Sequence, residues 1–251
     1  MRCSSPSFAR YDRRDTQARP PADILQALIE AKDETTGEGF SFQQVMEQVS
    51  TIFLAGHETS ASAMTWALYL LAECPHLQVA LRQEADVAFG AQPPRFEAMK
   101  HLPVTRNVFR EALRLYPPVS FLLREVVCPV QMRDKPMAAG AMLVVSPWLI
   151  HRNRENWEHP HAFDPDRFER PEGKAAIREA YLPFGKGPRT CVGAGFAQQE
   201  VLLLLSAFVA AFDLAPVPGD RPEPISRLTL RPKRGLRLKL KSRASGSHPA
   251  G

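Results

Sequence analysis

A mainly α-helical fold carrying small antiparallel β-sheets is predicted by three observations. About 30 residues from Ser41 onward keep a helical period without a proline, a nearly all-apolar stretch lies at Val201 to Phe212, and short β-branched segments gather only beyond residue 120. The 251 residues are 44% apolar and 24% charged, an ordinary globular composition that excludes collagen-like and disordered classes. One large domain or two small ones are compatible with this length.

In chain order, residues 1–21 are polar, Arg-rich and end in Pro20-Pro21, so a disordered lead-in is expected there. Asp23 to Lys32 spaces Ile24, Leu25, Leu28 and Ile29 as a short helix, broken by Thr36-Gly37-Glu38-Gly39. Ser41 stands three residues before Gln44, a capping box opening one long helix that should end at Cys74-Pro75. At 1.5 Å per residue such a rod spans about 45 Å. Its stripe of Val45, Val49, Ile52, Gly56, Thr59, Ala63, Trp66 and Leu70 places Gly56 and Thr59 halfway along an expected buried face, where the missing side chain predicts a notch.

Pro75 opens the next helix, with Leu77, Leu81, Ala85 and Ala88 apolar, and Gly90 closes it. Pro103 to Leu115 forms another, stopped by Pro117-Pro118. Val126 to Val130 and Met142 to Val145 are expected as strands of a small antiparallel sheet, punctuated by Asp134-Lys135-Pro136 and Gly140. Residues 151–190 read as a long ordered loop. Gly193 to Phe212 is a helix apolar on nearly all sides and is expected to be buried; strands near Arg227–Leu230 and Leu236–Leu240 follow, then a disordered tail over 243–251.

The net charge of +5 is localised: residues 221–251 hold nine basic side chains and only Glu223 as an acid. Leu236, Leu238 and Leu240 alternate there with Arg237, Lys239 and Lys241, so a strand with a solvated face accounts for them and no nucleic-acid partner is expected. Cys3, Cys74, Cys128 and Cys191 form no C-x-x-C pair, which points away from zinc fingers and disulfide frameworks. The N-terminus lacks a signal-type apolar run, and Val201 to Phe212 is shorter than the roughly 20 residues a bilayer requires. A cytoplasmic protein without a transmembrane anchor is therefore expected.

The strongest chemical signal is Phe184-Gly185-Lys186-Gly187-Pro188-Arg189-Thr190-Cys191-Val192-Gly193. Two glycines and a proline allow a tight turn, and Cys191 arrives just before a helix N-terminus, where free N–H groups and the helix dipole favour an anionic sulfur.

This stretch, continued by Phe196-Ala197, resembles the cysteine loop of the cytochrome P450 family, haem-thiolate monooxygenases, at every fixed position of F-x-x-G-x-R-x-C-x-G. Further segments resemble family motifs in the family's order: Ala55-Gly56-His57-Glu58-Thr59, Glu111-Ala112-Leu113-Arg114, and Phe163-Asp164-Pro165-Asp166-Arg167-Phe168, where Asp166 replaces the commoner Glu. The resemblance covers about Pro21 to Lys241 and matches the C-terminal half of a family chain, so the expected region is 22–242 and a truncated form is expected.

What the resemblance implies is a long central helix and a cysteine-loop helix enclosing haem b (iron protoporphyrin IX). Cys191 would ligate the iron, with Phe184, Gly187 and Gly193 shaping its loop and Arg189 pairing with a propionate; Arg124 lies roughly where a second propionate arginine falls. Ala55 and Gly56 would leave room over the haem, Thr59 would bond iron-bound oxygen, and Glu58 would relay protons. Glu111, Arg114 and Arg167 would form a buried structural triad. His151 and Trp157 are expected to pack, and Thr229 to Leu236 resembles the closing hairpin. Trp66, Phe121 and Leu122 are expected either to line a pocket or to belong to the core.

The implied function is insertion of one oxygen atom from O2 into a lipophilic small molecule, with electrons from a ferredoxin or flavin reductase docking near Lys174, Arg178, Lys186 and Arg189. The alternative is a non-catalytic remnant without a closed site; a third reading keeps the haem-thiolate for rearrangement or dehydration without a reductase.

Overall fold

The computed structural model describes residues 23–90, 92 and 94–243. The expected lead-in 1–21 lies outside them, as does the expected tail apart from Arg243. The chain divides into two compact units, Met1–His57 and Glu58–Gly251.

In the first unit, α1 (Ile24–Glu30) is capped by Asp23, whose carboxylate accepts the Gln26 N–H. Asp33 then accepts the N–H groups of Thr35 and Thr36 at 2.9 and 2.8 Å, closing the predicted turn. The Ser41 capping box forms in both directions: the Ser41 N–H donates to Gln44 Oε1 (2.8 Å) and the Gln44 N–H to Ser41 Oγ (3.3 Å). It opens α2 (Phe42–Ala72), which is continuous for 31 residues across the division between the units.

The expected burial of α2 holds at Val45, Ala63, Trp66 and Leu70 and fails at its middle. Gly56 is exposed and Thr59 only half-buried, with Phe53 and Leu54 each 70% exposed. Helical period marks a face as apolar; it does not supply the element that covers it.

In the second unit, α3 (Pro75–Phe89) and α4 (Pro103–Leu115) begin at their prolines, and the Gly90 N–H closes α3 on Asp86 O. Glu84 of α3 caps α4, its carboxylate accepting the N–H of Val104 (2.6 Å) and both the N–H (2.8 Å) and hydroxyl (2.6 Å) of Thr105. Leu77, Leu81, Val108, Phe109 and Ala112 meet Trp66 and Leu70 in the core, each fully buried large side chain contributing about 1.5–3 kcal/mol.

The strand expected at Met142–Val145 is found there, whereas the one expected at Val126–Val130 is displaced. β1 (Leu122–Glu125) pairs with β4 (Met142–Val145), and β2 (Val130–Met132) forms a separate hairpin with β3 (Lys135–Met137). Val126–Val130 is therefore mostly connection, and Lys135-Pro136 lies within a strand. Pro136 is tolerated because β3 has only one neighbour, leaving the missing N–H side unpaired. After α5 (Pro147–Ile150), the supposed loop of 151–190 holds a 3₁₀ turn at Pro165–Glu169 and α6 (Pro171–Ala180). The buried face of α6 is Gly173, Ala176 and Ala180, residues too small to register as an apolar stripe. At Gly173 a Cβ would stand 1.8 Å from the Arg167 carbonyl oxygen, so the helix can approach the preceding turn only with glycine there.

The last helix, α7 (Ala194–Ala211), packs on α3 and α4 through Val201, Leu202, Leu205 and Val209. It is not buried on all sides as expected: Phe196 and Leu204 are exposed. Because it begins at Ala194, α7 is also long and apolar enough to cross a membrane by length and composition, which the shorter run counted from Val201 is not. β5 (Phe212–Pro216), not foreseen, pairs with β8 (Leu238–Ser242); β6 (Pro224–Ser226) pairs with β7 (Leu230–Pro232). Arg227-Leu228-Thr229, expected as strand, is the turn joining β6 to β7.

Candidate active site

The most densely bonded part of the second unit surrounds Glu111 on α4. Glu111 and Arg114 are fully buried and Arg167 is 4% exposed. The i, i+3 spacing on one helix lets Arg114 meet Glu111 twice, Nε to Oε2 at 2.7 Å and Nη2 to Oε1 at 2.8 Å. Arg167, on the 3₁₀ turn, adds Nε to Oε1 at 2.9 Å, and the Asp164 N–H reaches the same oxygen at 3.0 Å. Arg114 uses every N–H it has, since Nη1 donates to the carbonyls of His151 and Pro160 (both 2.7 Å) and Nη2 also to Ala162 (3.0 Å). Arg167 donates further to the carbonyls of Glu158, His159 and Ala162. Two cations and one anion can stay out of water here because carbonyl dipoles complete their solvation.

His151 is fully buried beside this cluster and does more than pack. Its Nδ1 donates to Arg114 O (3.1 Å), a carbonyl that can only accept, and its Nε2 accepts the Leu182 N–H (2.8 Å). The ring is thus the neutral Nδ1–H tautomer. Burial, reinforced by the nearby Arg114 and Arg152 guanidinium groups, holds its pKa down at about 3 from the ordinary 6.5, while the bond to the Arg114 carbonyl pulls the other way. Tyr181 stacks on it at 5.5 Å. Trp157 packs as expected among His151, Phe168 and Tyr181.

Leu182 leads into the cysteine loop. Gly185 and Gly187 both take positive φ, 74° and 82°, which side-chain-bearing residues rarely adopt. Gly187 O accepts the Thr190 N–H (3.0 Å) and hydroxyl (2.7 Å), and the Cys191 N–H returns to Phe184 O (2.9 Å), closing the loop. The Phe184 ring packs against the core. Cys191 is exposed, Gly193 precedes the first turn of α7, and Val192 and Phe196 beside them are 94% and 64% exposed.

Glu58, in the second unit, accepts the hydroxyl of Thr229 at 2.7 Å; Thr229 is buried. One and two turns further along α2, Ser62 Oγ and Trp66 Nε1 both donate to Leu230 O, the latter at 2.9 Å. Spacing of i, i+4 and i+8 therefore clamps the β6–β7 turn along one side of α2. Nothing local to Thr229 announces this; only the motif-like run Thr229-Leu230-Arg231-Pro232 hinted at it. Ala55 and Gly56 belong to the first unit, and a Cβ on Gly56 would meet no atom within 4 Å.

Of the remaining candidates, Arg189 is exposed and Arg124 is half-buried, with Nη1 on Leu123 O (2.8 Å). Trp66 is core, fully buried and stacked on Tyr116 with ring centroids 3.9 Å apart. Leu122 Cδ1 lies 3.8 Å from where a Cβ on Gly185 would be, beside the cysteine loop, while Phe121 is 45% exposed. Lys186 Nζ donates to Arg178 O (3.2 Å), joining α6 to the loop with Lys174 on the same helix.

The residues fit a haem by donor arithmetic. Among the described residues no group of three or more His, Cys, Asp or Glu side chains could hold a bare metal ion. A lone exposed sulfur can complete only an iron already held by other donors, and the exposed apolar surface of Val192 and Phe196 suits a flat apolar macrocycle.

Comparison with known proteins agrees with this geometry. The family model described as Cytochrome P450 matches residues 8–240. Cyclooctatin synthase of Streptomyces melanosporofaciens is 38% identical over 214 residues, 84% of this chain and 47% of that protein. Pentalenene oxygenase of Streptomyces avermitilis is 32% identical over 239 residues, 95% and 52% respectively. The solved structure titled retinoic acid bound cyanobacterial CYP120A1 superposes with a TM-score of 0.85 at 30% identity, over 92% of this chain and 53% of that one. The chain thus spans about half the length of the relatives it matches.

Proposed function

The chain belongs to the cytochrome P450 family, and from that premise we propose that it is the cysteine-bearing part of a haem-thiolate monooxygenase acting on a lipophilic small molecule. The observation that carries this reading is Cys191, exposed at the head of α7 on a loop whose glycines and backbone bonds present it. Haem b, when bound, supplies the iron at which dioxygen is activated for insertion of one oxygen atom.

Cys191 would give its sulfur to that iron, on the loop shaped by Phe184, Gly187 and Gly193. Arg189, with Arg124, would offer cations to the propionates. Glu58 and Thr59, adjacent on α2, hold and pass the protons that the chemistry consumes, with Glu58 fixed by the Thr229 hydroxyl. Gly56 keeps its stretch of helix free of side-chain bulk. Glu111, Arg114 and Arg167 keep the segment before the cysteine loop rigid and touch no reacting atom. A lipophilic substrate is supported by relatives named for pentalenene and solved with retinoic acid. Electrons come from a ferredoxin or flavin reductase whose acidic face docks on Lys174, Arg178, Lys186 and Arg189, an attraction that weakens with salt.

A second reading, a non-catalytic fragment, is favoured by the exposure of Phe53, Leu54, Val192 and Phe196. One experiment divides the two. The haem-loaded protein, reduced under carbon monoxide, is expected to show the red-shifted Soret band of thiolate ligation. Cys191→Ser should abolish the shift while moving unfolding stability by no more than about 0.5 kcal/mol. Failure to take up haem, or an equal band in the serine variant, refutes the proposal.

A further inference from the structure

We propose that His151 is a positioning residue for the cysteine ligand: it transmits the register of the buried Glu111–Arg114 cluster to the loop that carries Cys191. The proposal rests on Cys191 being the haem ligand.

The geometry runs in both directions between two residues 37 apart in sequence. Arg114 Nη1 donates to His151 O at 2.7 Å, and His151 Nδ1 donates to Arg114 O at 3.1 Å. Side chain and backbone exchange roles, so neither residue can shift along the other without breaking a buried bond. The free end of the ring then reaches forward, Nε2 taking the Leu182 N–H at 2.8 Å. Leu182 O accepts the Gly185 N–H (3.2 Å), and Phe184 O accepts the Cys191 N–H (2.9 Å). From the end of α4 to the cysteine backbone, the imidazole bridges rigid helix to glycine loop, alongside the Tyr181 hydroxyl, which donates to Arg110 O at 3.0 Å.

Both ring nitrogens must play fixed and opposite parts, donor at Nδ1 and acceptor at Nε2, which only the neutral ring does. Burial, with the buried Arg114 and half-buried Arg152 guanidinium groups beside the ring, keeps a further positive charge out of this place. A residue needed for shape alone would not need this polarity. Phenylalanine would fill the volume but strand the Leu182 N–H and the Arg114 carbonyl.

Three substitutions separate positioning from packing. Gln places an acceptor near Nε2, Asn places a donor near Nδ1, and Phe keeps only the ring. In the haem-loaded protein, His151→Gln should retain most of the red-shifted carbonyl band, whereas His151→Asn and His151→Phe should lose at least about half of it to the unshifted form. In ¹⁵N-labelled protein without haem, the Leu182 and Cys191 amides should exchange roughly tenfold faster in the Asn and Phe variants than in wild type, with Gln close to wild type. Far-UV circular dichroism checks that each variant folds. If Phe matches wild type in both readouts, or if Gln fares no better than Asn, the proposal is wrong. If wild type itself gives no red-shifted band, the haem assignment of Cys191 fails, and amide exchange still decides whether His151 governs the loop.

Discussion

The Glu111 cluster and the Cys191 loop lie in the same unit and are built on opposite terms. Around Glu111, charged groups are fully buried and every Arg114 donor is satisfied. At Cys191, the sulfur and its neighbour Val192 stand in the open, and backbone bonds together with the Thr190 hydroxyl shape the chain. Rigidity is concentrated where the charges are buried, beside a loop that presents its cysteine without burial. His151 and Leu182 are where one regime hands over to the other.

That contrast can be broken most severely at its buried end. Glu111→Gln keeps the shape but leaves Arg114 without an anion and Arg167 with only Asp164 Oδ2 at 4.0 Å, and a loss of about 3–5 kcal/mol is expected in urea unfolding. A loss under 1 kcal/mol would mean that the cluster is held by its carbonyl contacts instead.

Acid should have the next largest effect. Because the folded pKa of His151, about 3, lies below the ordinary 6.5, the unfolded chain takes up the proton first as pH falls. The stability associated with neutral His151 is complete above pH 6.5 and declines toward pH 3, by roughly 3 kcal/mol at pH 4. Unfolding measured at pH 7 and pH 4 tests this, with His151→Phe expected to lose that part of the slope.

The smallest effect belongs to an open site and has the reverse sign. Gly56 lies inside α2 with nothing where its Cβ would go, so Gly56→Ala should stabilise by about 0.5–1 kcal/mol in thermal or urea unfolding. A destabilisation would show that close packing of the chain itself requires glycine there. Stabilisation would leave its reason with what binds over the helix.

Caps and breakers were legible in the sequence. Ser41 with Gln44 and Gly90 fix helix boundaries through bonds spanning three or four residues, Pro75 and Pro103 through a preset φ and a missing N–H, and the structure places them as the spacing predicts. The cysteine loop was legible for the same reason, its glycines standing where φ must be positive. α6 was not, because its buried face is made of Gly173, Ala176 and Ala180, and neither was the register of the first strands, where apolar residues run on either side of the true pairing.

The sequence by itself determined where the capped and proline-opened helices begin and end, and that one cysteine sits on a glycine-shaped turn, since each depends on neighbours a few positions away. Tertiary structure alone decided that His151 is a two-ended polar link, that Thr229 holds Glu58, and that Trp66 stacks on Tyr116 inside the core. Those pairs are separated by 31 to 171 residues in two of these hydrogen bonds, and contacts so distant leave no period in the chain for spacing to reveal.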